Sequence, residues 1–154
     1  MTSVEASSSW VLAGGVQPPR LPEGVDLPRD RMLVMGILNV TPDSFSDGGR
    51  FLDPGAALDH AQEMLDEGAD LVDLGGESTR PNSTRISEDE EWERIGSIIQ
   101  RLAASGVVVS VDTLHALTAR RAADAGAAII NDVSGGRWDP QMNAAVASTS
   151  CAYV

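Results

Sequence analysis

The sequence predicts an α/β fold with parallel strands, built as part of a (β/α)8 barrel. From about residue 31 onward, short apolar segments alternate with segments that have helical periodicity. The apolar segments are continuous rather than alternating, which is typical of strands covered by helices on both faces. Each repeat takes about 30 to 40 residues, as in a (β/α)8 barrel, so the chain holds about four and a half β-α units.

Length, charge and cysteine content restrict the class of protein. The chain has 154 residues, of which 42% are hydrophobic, enough for one domain with a core. The net charge of -12 argues against a nucleic-acid surface. No apolar run reaches the ~18 residues of a membrane-spanning helix, so no membrane partner is expected. Cys151, the single cysteine, fits a reducing compartment, and we expect a cytoplasmic protein.

The chain begins with a segment that predicts no regular structure. Residues 1–30 are rich in Ser, Pro and Gly, and prolines block regular hydrogen bonding. We therefore expect a disordered or loosely packed tail over 1–30 and one domain over 31–154. The apolar run Met32–Leu38 predicts a fully buried first strand, and the polar loop after it opens at Asn39.

The remaining elements follow from caps, periodicity and glycine stops. Asp53 and Pro54 predict the start of a helix that Gly68 ends, and Ser87 with Glu90 predicts a capping box for a second helix. The run of acids over 88–91 then falls in the first turn, where we expect it to be solvated. The other predicted elements are strands over 71–74, 107–111, 127–130 and 151–154, and helices over 114–124 and from 139–140 to 146.

Polar side chains follow the strands at one end of the predicted sheet. Asn39, Asp73, Asp112 and Asn131 stand at the carboxyl ends of four successive strands, the edge where parallel α/β folds bind ligands. Carboxylates and carboxamides suit a flat heteroaromatic ring with amino and lactam edges. Their oxygens, with those of the loop acids, also suit Mg²⁺. Both histidines fall within predicted helices, where we expect structural or surface roles.

Four blocks of this sequence resemble dihydropteroate synthase, in the order of that family. They are Met35–Gly49 (MGILNVTPDSFSDGG), Asp73–Pro81 (DLGGESTRP), Ser110–Thr113 (SVDT) and Ile130–Gly136 (INDVSGG). The similarity spans about 32 to 154 and is typical of the N-terminal half of such an enzyme. It implies a partial TIM barrel that joins 4-aminobenzoate to 6-hydroxymethyl-7,8-dihydropterin diphosphate, giving 7,8-dihydropteroate and diphosphate in folate biosynthesis.

The resemblance also implies roles for strand-end residues. Asn39 would bind Mg²⁺, the implied cofactor, on the leaving diphosphate. Asp112 and Asn131 would hydrogen-bond the pterin ring.

Two loops would close over the site. Asp47 in the first loop would stabilise positive charge on the pterin methylene, and Thr79 and Arg80 in the second loop are the other implied catalytic residues. Phe45 and Pro81 would flank the aminobenzoate ring.

The sequence departs from the family pattern in two ways. Asn82 stands where the family usually has glycine, and a modest effect on loop motion is expected because Asn tolerates positive φ. The family's later pterin-binding acid, lysine, arginine and histidine would lie beyond Val154. We therefore expect a truncated, inactive chain that does not form the family's homodimer normally. Two alternatives stay open: a non-catalytic pterin-binding fragment or paralogue, and a pterin-dependent methyltransferase-type barrel.

Overall fold

The described residues form a parallel five-stranded sheet with helices between the strands. The computed structural model describes residues 22, 25, 27, 28, 30–41, 53–78 and 85–154. The strands pair in sequence order, β1-β2-β3-β4-β5, all parallel. In chain order the elements are β1 Met35–Asn39, α1 Pro54–Asp66, β2 Leu71–Gly75, α2 Glu88–Ala104, β3 Val109–Asp112, α3 Ala116–Asp124, β4 Ile129–Asn131, α4 Met142–Ala147 and β5 Ala152–Tyr153. The predicted α/β class and partial barrel are confirmed.

The helix starts follow the local chemistry that the sequence indicated. Asp53 caps α1 by accepting from the backbone N–H of Gly55 at 2.9 Å. Ser87 caps α2 by accepting from the N–H of Glu90 at 3.1 Å. Each cap satisfies a backbone donor that the first helical turn leaves unpaired.

The hydrophobic core lies between the sheet and its helices. One face of the sheet carries the fully buried Leu38, Leu74, Val111 and Ile130, which pack with buried helix residues such as Ile95. We call this the helix face. The opposite face is called the open face, and it carries the alternate residues of each strand. Because side chains alternate along a strand, this face presents the strand-end polar residues.

The prediction of a fully buried first strand over Met32–Leu38 is wrong. The strand covers Met35–Asn39, and Met32 is 89% exposed. On the open face Met35 and Ile37 are 43% and 61% exposed, whereas Leu38 on the helix face is 1% exposed. The difference arises because β1 pairs with β2 alone among the described strands, so burial comes only from the helix side. Continuous hydrophobicity predicted burial of both faces, but along β1 only the helix face is covered, whereas Asp73 on the open face of β2 is 5% exposed.

Candidate functional site

Four strand ends line up in register across the open face. Asn39 pairs with Gly75, Gly75 with Asp112, and Asp112 with Asn131. Residues paired in neighbouring parallel strands project to the same face, so the three polar side chains share one rim. Three predicted site residues are thus brought together.

Gly75, which has no side chain, leaves a gap between the polar groups of the neighbouring strands, and we call this gap the cleft. A Cβ built on Gly75 would lie 3.3 Å from Asn39 Oδ1 and 3.8 Å from Asp112 Oδ2. Any side chain at Gly75 would therefore fill the space between the two polar groups. The cleft places an amide oxygen on one side and a carboxylate on the other, so a flat ligand could contact both.

Asp73 lies below the rim and contacts Asn131. Asp73 is only 5% exposed, and its Oδ2 accepts a hydrogen bond from Asn131 Nδ2 at 3.1 Å. Among the described residues, Asp73 Oδ1 and Asp112 Oδ1 are buried without a hydrogen-bond partner. Buried acceptors without partners are rare and costly in folded proteins. Two of them beside one cleft are typical of a site that receives donors from a ligand.

The electrostatics of the cleft raise the pKa of Asp112 to about 6. Burial is the largest cause, followed by the negative charge of Asp73 and then that of Glu91. Both effects disfavour the charged form of a carboxyl group. Near neutral pH the Asp112 carboxyl group is mostly ionised, although its surroundings disfavour the negative charge. Hydrogen-bond donors from a ligand would therefore stabilise it. A perturbed acid in a cleft is a frequent mark of a functional site.

A second polar cluster lies at the two ends of the second loop, and the sequence analysis did not predict it. It consists of Glu77, Arg85, His115 and Trp138. Glu77 is buried, and its Oε1 accepts from Arg85 Nη1 at 2.7 Å while its Oε2 lies 3.1 Å from His115 Nε2. The guanidinium of Arg85 lies 4.6 Å from the ring centre of Trp138. Glu77 and Arg85 stand on either side of residues 79–84, so their ion pair joins the two ends of that loop.

The expectation for His115 needs correction. His115 is not inside a helix but at the N-cap position of α3, and it makes no side-chain capping bond. Its ring contacts Glu77 instead, and it is mostly buried. No local pattern indicates this contact, because Glu77 lies 38 residues earlier in the chain.

The expectation of a solvated acidic run over 88–91 is wrong for Glu91. Glu91 is 1% exposed, and its Oε2 accepts from Thr113 Oγ1 at 2.9 Å. Burial raises its pKa, and the hydrogen bonds from Thr118 and Thr113 oppose that shift. A sequence signal was present: Glu91 is spaced four and seven residues from the buried Ile95 and Ile98, so all three share one helix face.

Asp132 organises the loop that follows β4. Its carboxylate accepts from the backbone N–H groups of Ser134 and Gly136, both at 2.8 Å, and from Tyr153 Oη at 2.7 Å. Burial opposes ionisation, but these hydrogen bonds prevail and lower the pKa of Asp132. The loop is therefore held beside Asn131 by a satisfied carboxylate, in contrast to Asp112.

The other predicted site residues lie outside the described residues. They are Phe45, Asp47, Thr79, Arg80 and Pro81, together with Asn82 and most of the 1–30 segment. Within the ranges that the structure describes, no group of three or more His, Cys, Asp or Glu side chains is arranged to hold a metal ion. In the same ranges, no helix has both the length and the apolar character needed to span a bilayer.

Comparison with known proteins places these features in one family. The family profile described as "Pterin binding enzyme" matches residues 35–154. The dihydropteroate synthase of Bacillus subtilis is 54% identical over 115 residues, which are 74% of this chain and 40% of that protein.

Solved structures show the same relationship. A Xanthomonas albilineans dihydropteroate synthase with 4-aminobenzoic acid superposes with a TM-score of 0.76 at 48% identity, covering 84% of this chain and 49% of that one. A Burkholderia cenocepacia dihydropteroate synthase complexed with 7,8-dihydropteroate gives a TM-score of 0.73 at 37% identity, covering 87% and 46%. The chain thus spans less than half the length of these relatives.

Proposed function

Because the chain belongs to the pterin-binding enzyme family, we propose that it supplies the pterin-binding rim of a dihydropteroate synthase. The observation that carries this proposal is the cleft at Gly75, lined by Asn39, Asp112 and Asn131 and underlain by Asp73. Relatives with this function, among them those solved with 4-aminobenzoic acid and 7,8-dihydropteroate, support the same substrates here.

The reaction would join two bound molecules without a protein nucleophile. The amine of 4-aminobenzoate would form a C–N bond to the pterin methylene while the C–O bond to diphosphate breaks. Diphosphate takes the bonding electrons, and one amine proton is released. The protein's task is to hold the ring, stabilise separated charge and exclude water.

Ring binding is assigned to the acceptors of the rim. Asp112 and Asn131 would accept hydrogen bonds from the amino and ring N–H groups of the pterin. The two buried oxygens without partners, on Asp73 and Asp112, support this assignment, since a ligand donor would satisfy a group that the described chain leaves unpaired.

The loop residues complete the proposal. Asp47 would stabilise positive charge on the methylene, Thr79 and Arg80 would be the other catalytic residues in a loop that closes over the site, and Phe45 and Pro81 would flank the aminobenzoate ring. The ion pair between Glu77 and Arg85 supports a firm base for the second loop. Sequence identity near 50% to synthases across these blocks supports the assignment.

Asn39 is the proposed Mg²⁺ ligand. Its carboxamide oxygen faces the cleft, and it is a hard oxygen donor of the kind that Mg²⁺ accepts. The residues fit such a site because Mg²⁺ commonly takes one or two protein ligands and completes its shell with phosphate oxygens and water. When bound, the ion would neutralise charge on the leaving diphosphate.

Titration with 6-hydroxymethyl-7,8-dihydropterin diphosphate, with and without Mg²⁺, tests the proposal. We expect Mg²⁺ to strengthen binding and Asn39→Ala to remove that gain, whereas Asn143→Ala, an exposed asparagine on α4, should keep it. A wild-type chain that binds no pterin compound, or an Asn39→Ala variant with the full Mg²⁺ effect, would contradict the respective assignment.

Product formation after addition of 4-aminobenzoate tests catalysis separately. The open face leaves Ile37 61% exposed, so water reaches the open face next to the rim. We therefore expect pterin binding with little turnover. Turnover at the rate of the Bacillus subtilis dihydropteroate synthase, assayed in parallel, would overturn that expectation, and binding without any product would favour the non-catalytic alternative.

A further inference from the structure

Glu91 is a buried acid that none of the roles assigned above uses. It lies in the first turn of α2, is 1% exposed, and burial raises the pKa of its carboxyl group. An apolar side chain would pack at lower cost beside Ile95, which lies on the same helix face. The acid therefore calls for a reason beyond packing of the core.

The carboxyl group of Glu91 is bonded to the residue that follows Asp112. Its Oε2 accepts from Thr113 Oγ1 at 2.9 Å, and the same hydroxyl accepts from the backbone N–H of His115 at 3.1 Å. A hydroxyl can do both because it has one donor and two acceptor lone pairs. Thr113 is 2% exposed, so these hydrogen bonds join α2 to the turn between β3 and α3 in a place that is shielded from water.

Glu91 also packs against the end of the neighbouring strand β2. A Cβ built on Gly76 would lie 3.1 Å from Glu91 Cγ and 3.1 Å from its backbone oxygen. Gly76 and Thr113 come directly after Gly75 and Asp112, the register pair at the cleft. Because α2 covers the helix face, Glu91 contacts both strand ends from behind, whereas the Asp112 carboxylate lies beside Gly75 on the open face.

We propose that Glu91 is a positioning residue: through Thr113 it holds the ends of β2 and β3 together behind the cleft and so keeps Asp112 in place for the ligand. This inference deepens the proposed function and rests on it for the identity of the ligand. It does not depend on the charge of Glu91, because a carboxyl group has an oxygen that accepts in either protonation state.

Two variants at position 91 separate the hydrogen bond from the charge. Methionine keeps the length of the side chain but is only a weak acceptor, whereas glutamine keeps an amide oxygen and loses the charge. The ligand is 6-hydroxymethyl-7,8-dihydropterin diphosphate. We expect about tenfold weaker binding in Glu91→Met, because a small displacement of a binding group is costly. In Glu91→Gln the acceptor remains, so we expect a change of at most about twofold.

Thr113→Val tests the same hydrogen bond from its donor side. Valine keeps the shape of threonine without the hydroxyl, and we expect a loss of affinity of about tenfold again. The double variant Glu91→Met/Thr113→Val should lose no more than either single variant, because both remove one shared interaction. The matched control is Glu93→Met, which makes the same replacement at an exposed position of α2 and should bind as the wild type does.

Amide hydrogen exchange gives a readout that needs no ligand. The Thr113 N–H donates to Asn131 O at 3.0 Å at the cleft end of β3, and the Ala128 N–H donates to Val109 O at 2.9 Å at its other end. In Glu91→Met we expect exchange at Thr113 to become about tenfold faster relative to Ala128, because the strand end opens locally. Glu91→Gln and Glu93→Met should keep the wild-type ratio. A loss of overall stability would instead speed both amides together.

The outcomes separate this inference from the proposed function. Urea denaturation establishes that each variant is folded, and Thr113→Val carries the test if Glu91→Met does not fold. Weaker pterin binding in Glu91→Met and Thr113→Val, but not in Glu91→Gln, supports the inference. Wild-type affinity in a folded Glu91→Met or Thr113→Val, an equal loss in Glu91→Gln, or additive losses in the double variant overturns it.

A wild-type chain that binds no pterin compound would sink the proposed function for this chain, and hydrogen exchange then decides on Glu91. Faster exchange confined to Thr113 in Glu91→Met or Thr113→Val supports the positioning role. An unchanged ratio of the Thr113 and Ala128 exchange rates in these variants refutes it.

Discussion

Replacement of Asp112 by asparagine should make the protein more stable at neutral pH. The carboxyl group has a pKa of about 6 in the folded chain against an ordinary value of 3.8, chiefly because of burial and then the charge of Asp73. The folded state therefore holds the proton more tightly than the unfolded state does. Between these two values stability falls as the pH rises, and above about pH 6 the ionised Asp112 is fully destabilising.

The size of the effect follows from the shift. At about 1.4 kcal/mol per pH unit the shift corresponds to about 3 kcal/mol at most. Asp112 is partly exposed, and solvent screening reduces this, so we expect Asp112→Asn to gain roughly 1 to 3 kcal/mol at pH 7.5. The gain should shrink to about 0.5 kcal/mol near pH 4 and vanish below the unfolded-state pKa of 3.8, where the carboxyl group becomes protonated in both states.

Urea denaturation of both proteins at pH 4, 6 and 7.5 measures this difference. The control is Asp59→Asn on α1, an exposed residue whose replacement removes one charge outside the cleft, with an expected change within about 0.5 kcal/mol. A gain that is equal at all three pH values, or a gain in Asp59→Asn as well, would refute the explanation by local repulsion. Pterin binding should weaken in Asp112→Asn, since stability and function oppose each other at this residue.

Two further predictions concern the loop after β4. Gly135→Ala and Gly136→Ala should each cost about 1 kcal/mol in urea denaturation, because both residues have positive φ, 61° and 75°, which a residue with a Cβ adopts at a cost. A Cβ at 136 would lie 2.6 Å from Asn143 Oδ1, but that atom ends an exposed side chain that can rotate away, so we expect the two costs to agree within about 0.5 kcal/mol, and no loss of stability in either variant would contradict the conformational reason. Tyr153→Phe removes the donor to Asp132 and should cost about 1 to 2 kcal/mol at pH 7. Because burial and Asp132 raise the pKa of Tyr153 from 10.0 to about 12, that difference should fade between these pH values, and a difference that persists above them would refute the role of the hydrogen bond.

The strands and the rim could be predicted from the sequence because they depend on local pattern. Continuous apolar runs set the strands, caps set the starts of α1 and α2, and the polar residue after each run marks its carboxyl end. Parallel pairing then places Asn39, Asp112 and Asn131 on one edge whatever the details of packing. These features needed no knowledge of distant contacts.

The features that sequence reasoning missed depend on contacts between distant segments. His115 meets Glu77 across 38 residues, and Asn131 meets Asp73 across 58. The exposure of Ile37 depends on what covers the open face, which hydrophobicity alone does not report. Glu91 is an intermediate case, since its helical spacing to Ile95 indicated burial although its charge suggested solvent.

The acids around the sheet edge differ in whether their carboxylate oxygens have hydrogen-bond partners. That difference separates carboxylates with a structural role from those with a role in ligand binding. Asp132 receives three hydrogen bonds and has a lowered pKa, as expected of a group that holds a loop in place. Asp112 has a buried oxygen without a partner among the described residues, and its pKa is raised. Selection for stability alone would favour an uncharged residue at 112, because the ionised acid is destabilising. The presence of Asp112 is explained if a ligand supplies the missing hydrogen-bond donors. Asp73 belongs with Asp112 among the ligand-binding acids, because one of its oxygens accepts from Asn131 and the other has no partner among the described residues.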